Sequence, residues 1–131
     1  MIEKPGVLFV ISLLALTLAL VSCAETRPSA DEWERDWNNA VVLIPEEASL
    51  GDPPSKTACE AILVSLRASE GEVFPTPTES MDDTIQSWFE LAKGAFFDCP
   101  PGGEGGSFGS VFEELKVIEA EVEVALETQG E

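Results

Sequence analysis

The sequence has no histidine and no tyrosine. The first absence removes imidazole metal sites and every mechanism that uses a histidine base. Cationic side chains are also scarce, 7 lysines and arginines against 25 acidic residues, a formal charge of −18. Such a field repels nucleic acid and anionic lipid head groups, so a nucleic-acid binder of the ordinary basic kind is excluded. Three cysteines are present, and no C-x-x-C pair occurs among them. What remains is a chain of 131 residues, 44% hydrophobic, enough for one small folded domain.

The long apolar run lies at the start. Met1–Gly6 is short and polar, and Val7–Val21 is almost wholly apolar. Fifteen residues are short for a transmembrane helix, which needs ~20, but they match the hydrophobic region of a signal peptide. The run closes on Leu20-Val21-Ser22-Cys23. These residues resemble the lipobox of bacterial lipoproteins. The resemblance implies a diacylglyceryl group on the Cys23 thiol, cleavage before Cys23 and, often, fatty acylation of the new N-terminus. It covers residues 1–23 only. Glu3 offsets Lys4, so the segment before the apolar run is less positive than the class usually shows. Losing both leaves the exported part at −18. An uncleaved membrane anchor, or a plain secretory signal with an incidental cysteine, is the competing reading.

The implied location is the outer side of a bacterial membrane, held through lipid on Cys23. Ala24 stands where an aspartate would favour inner-membrane retention in Gram-negative lipoproteins. The organisation is then a signal peptide over 1–22, a lipidated cysteine and short tether over 23–28, and an acidic helical domain over 29–131. The tether reaches under ~20 Å, so the domain is held close to the membrane.

Four helices are predicted in that domain by apolar periodicity. The first starts at Ser29, with Glu32 in capping-box spacing, carries Trp33, Trp37, Ala40, Val41 and Ile44 on one face, and ends at Pro45. The loop that follows contains Gly51-Asp52-Pro53-Pro54, which cannot continue a helix. The second starts near Ser55, buries Cys59, Ile62, Leu63 and Leu66, and stops at Gly71. The third starts at Ser80, with Asp82 and Asp83 at the positive end of its dipole and a stripe of Met81, Ile85, Trp88, Phe89, Ala92 and Phe96. Pro100-Pro101 ends it. The fourth starts near Ser107 or Ser110, the latter in capping-box spacing with Glu113, and carries Val111, Phe112, Leu115, Ile118, Val122 and Leu126. The glycine-rich loop before it has no lysine and carries Glu104, which argues against phosphate binding. The expected fold is all-α, an up-down four-helix bundle.

With Cys23 assigned to lipid, Cys59 and Cys99 remain. In an oxidising compartment a disulfide is the expected state, and antiparallel packing of the second and third helices would bring the two together. A redox-active pair is the competing reading, and the wide spacing argues against it.

Candidate contact residues lie on the fourth helix. Glu119 falls inside its apolar stripe, either as an edge carboxylate paired with Arg67 or Lys93, the expected state, or as a buried acid touching a ligand. Val117, Ala120 and Val124 lie on the far side, either as a second apolar patch for a partner, or as the mark of a helix buried on two sides, or as exposed valines without functional meaning. Trp33 and Trp37 are expected in the core, although tryptophan also anchors interfaces. Asp82-Asp83 and Glu119, Glu121 and Glu123 would attract cations weakly, but residues two apart on a helix diverge, so no metal site is assigned. No cofactor and no catalytic residue is assigned. The expected function is a non-enzymatic lipoprotein that binds an envelope protein, a basic surface being steered to it. The alternative is a small-ligand or cation binder using the helical core.

Overall fold

The computed structural model describes residues 26–103 and 105–129. The signal segment, the lipobox, Cys23 and Glu104 lie outside the described residues. Helices α1 (Ala30–Val41), α2 (Lys56–Val73), α3 (Glu79–Asp98) and α4 (Gly109–Gln129) form the fold, with a short 3-10 helix, Glu47–Leu50, between the first two. No strand occurs among the described residues, and no helix among them is long and apolar enough to cross a membrane.

The helices run up, down, up and down. Trp33 at the start of α1 donates to the carbonyl of Val73 at the end of α2, 2.7 Å away. Cys59 near the start of α2 is bonded to Cys99 at the end of α3, with Cα atoms 6.3 Å apart. Phe96 near the end of α3 packs on Phe108 at the start of α4, and Gln129 at the far end of α4 reaches Met81 at the start of α3. One pole therefore holds the start of α1, the end of α2, the start of α3 and the end of α4. The other holds the 3-10 helix, the disulfide and the glycine-rich loop.

Local chemistry sets the boundaries. Ser29 caps α1 by accepting the Glu32 amide, and Ser55 caps α2 by accepting the Ala58 amide. α1 ends at Val41, and its last carbonyls are taken up by i→i+3 bonds from Leu43 and Ile44. α2 runs past Gly71 to Val73, because Val73 is fully buried and its carbonyl serves Trp33. Phe74, forced extended by Pro75, ends it. Ser110 lies inside α4 and does not cap it. Glu47 does the equivalent work from the 3-10 helix, its carboxylate accepting the Phe108 amide at 3.2 Å. In the loop before α4, a side chain at Gly106 would meet the Pro101 carbonyl 2.0 Å from its Cβ, so only glycine fits there.

The core is a single cluster rich in aromatic rings. Trp33 and Trp37 stack with centroids 5.6 Å apart, Trp37 meets Trp88 edge-on at 5.0 Å, and Trp88 meets Phe89 in the same way. The rings of Phe96, Phe108 and Phe112 close the opposite pole. Leu50 of the 3-10 helix is also buried. The loop after α1 thus adds to the core, which its polar, aperiodic sequence does not announce.

Candidate functional site

Of the exposed large apolar side chains, Val117 and Val124 lie on α4, Val64 lies on α2, and Val42 and Phe97 lie just past the end of α1 and near the end of α3. Leu115 and Val122 are buried, and Val111, Phe112, Ile118 and Leu126 pack partly against the core. That stripe fixes the helix's rotation. Val117 and Val124, seven residues apart and so on one face, then point to solvent, 59% and 62% exposed. Ala120 between them is exposed too. The reading of a helix buried on two sides is corrected: one face packs, and the valines stand opposite it. Glu113, Glu121 and Glu127, all exposed, lie at neighbouring positions of the same face by helical spacing. The outer face is a short apolar stripe within a frame of carboxylates.

Glu119 sits on the edge of α4 that meets α1. It is half-buried, and its Oε2 accepts the indole N–H of Trp88 at 3.3 Å. The expected partners are not used. Lys93 pairs with Glu70 across α2 and α3, and Arg67 lies on α2, the helix diagonal to α4. Partial burial pushes the Glu119 carboxyl above its ordinary value, while the Trp88 bond and the charge of Lys116 oppose that shift. Beside it runs an open groove of about 190 Å³, walled by Glu34, Trp37 and Val41 of α1 and by Glu119, Glu123 and Leu126 of α4. The valines and Glu119 do not form one site. Two residues apart on a helix, Val117 and Glu119 point ~160° apart.

A second constellation went unrecognised in the sequence. Arg27, assigned there to the tether, is fastened to the domain. Its guanidinium forms a two-point bond to Asp82 at 3.1 and 3.0 Å and donates to the Thr76 carbonyl at 3.0 Å. Thr76, fully buried, donates its hydroxyl to Asp82 at 2.6 Å. The Arg27 bond holds the Asp82 carboxyl below its ordinary value; partial burial opposes this, and Thr76 adds to it. Asp82 is therefore the anchor of a clamp rather than a dipole partner of α3 alone. The residues lie 49 and 55 positions apart, so no local spacing announces them.

Among the described residues no three histidine, cysteine or acidic side chains converge as a metal site would require. Several hydroxyls are bound back into their own helices: Ser65 to Ala61, Ser87 to Asp83 and Thr128 to Val124.

No family model, curated protein or solved structure matches this chain.

Proposed function

We propose that the protein is a bacterial envelope lipoprotein, anchored through Cys23, whose bundle binds a basic protein surface. The observation that carries this reading is the outer face of α4. Val117 and Val124 are exposed there, seven residues apart, on a face the fold does not cover. An apolar stripe of this kind rimmed by charge suits protein contact, and the surrounding carboxylates steer a basic partner to it. The lipid anchor rests on the apolar run ending in Leu20-Val21-Ser22-Cys23. The ring-packed core counts against a ligand held among the helices.

The test is site-specific photocrosslinking in cells. A benzophenone amino acid is placed at position 117 or 124, with exposed position 60 on α2 as the control. The expected result is one shared adduct from 117 and 124, absent from 60, whose yield falls several-fold when salt is raised. Identical patterns at all three positions would overturn the assignment.

A further inference from the structure

We infer that the Arg27 clamp stands the bundle on end at the membrane, so that the outer face of α4 looks along the membrane plane and its partner is a membrane-resident neighbour. The inference rests on the lipid-anchor reading above and extends it. Three residues separate Cys23 from Arg27, and the four chain steps reach at most ~14 Å. Arg27 does not merely precede the domain. It is tied by two bonds to Asp82 and by one to the Thr76 carbonyl, and the same carboxylate takes the Thr76 hydroxyl. The point of attachment is thereby fixed on one pole of the bundle, beside the start of α3. Gln129, at the end of α4, reaches Met81 on that pole.

The clamp pole is itself acidic, with Asp31, Glu32, Glu79 and Asp83 exposed there, so the tilt follows from how much acidic surface each pose presents. On its side the bundle would press a long acidic surface, part of a net −18, against anionic head groups; on end it exposes the smallest area to them. α4 then runs along the membrane normal, ~30 Å long at 1.5 Å per residue. Val124 lies ~8 Å and Val117 ~18 Å above its lower end. Adding the reach of the tether, the stripe stands within ~32 Å of the lipid surface and faces sideways. A protein embedded in or anchored to the same membrane, with a basic flank at that height, meets this face directly. The opposite pole, where Phe97 is 73% exposed, points away from the lipid.

The experiment uses the native lipidated protein in phosphatidylcholine vesicles containing phosphatidylglycerol, with a nitroxide quencher on the head groups. A fluorescent amino acid is placed at Glu79, beside the clamp, or at Phe97, at the far pole. The clamp predicts several-fold stronger quenching at 79 than at 97, and a clearly smaller difference in Arg27→Ala and in Asp82→Asn, where the chain is held at this pole only by its entry into α1. Circular dichroism of both variants is recorded to show that the helices persist. Equal quenching at the two positions in the native protein, or a difference undiminished in both folded variants, would overturn the inference while leaving the anchor intact. Protein that does not float with the vesicles would refute the lipid-anchor reading and the orientation with it.

Discussion

Glu119 shows how tertiary packing decides the state of a single side chain. Helical spacing places it among apolar neighbours, and that placement holds. Its partner does not follow from spacing, because the indole of Trp88 arrives from another helix, 31 residues away in the sequence. The sign of its effect on stability follows from the direction of its shift. A carboxyl whose pKa is raised on folding stabilises the fold while protonated; that contribution is present below the ordinary carboxylate range and is lost as pH rises through the folded-state value. Glutamine keeps an oxygen to accept the Trp88 N–H and cannot ionise. Glu119→Gln should therefore melt at or above the wild type at neutral pH, with the difference vanishing as pH falls below about 4. A wild type that melts clearly above the variant at neutral pH would mean that the charged form is the favoured one. Arg27 and Asp82 were illegible for a different reason. With 24 acidic residues beyond position 22, no sequence argument singles out the one that a lone arginine will meet.

The four helices were legible because each carries a long 3.6-period stripe, and those stripes supply most of the core; prolines follow α1 and α3, but Gly71 does not stop α2, which runs on to Val73. Their ends were legible where a serine caps, at Ser29 and Ser55, and illegible where the cap comes from elsewhere, as Glu47 does for α4. The 3-10 helix escaped because a single leucine in a polar stretch has no period. The disulfide was legible through chemistry rather than pattern: a pair of cysteines left unassigned in a domain expected to be exported. It joins residues 40 apart, a loop whose closure is worth ~4 kcal/mol in the chain-entropy account. Reduction should lower the melting temperature by several degrees or more. An unchanged melt after complete reduction, verified by thiol counting, would show that helix packing alone sets the stability.

At the scale of the whole molecule, the parts make one device. In the proposed reading, an acidic bundle is kept off anionic lipid by its charge and held near it by a short tether fastened at one pole. Exposed apolar side chains lie on its side, at Val117 and Val124, and at the far pole, at Phe97. The proposed orientation and partner both depend on the lipid anchor proposed at Cys23, so the most direct test is made there. The protein is expressed with its native leader as wild type and as Cys23→Ser, cells are fractionated at neutral pH and again at high salt, and the wild-type N-terminal peptide is weighed by mass spectrometry. The account predicts membrane-bound wild type whose first residue is Cys23 carrying diacylglycerol, and a variant released to the soluble fraction. A Cys23→Ser variant that stays with the membrane under both conditions would contradict it.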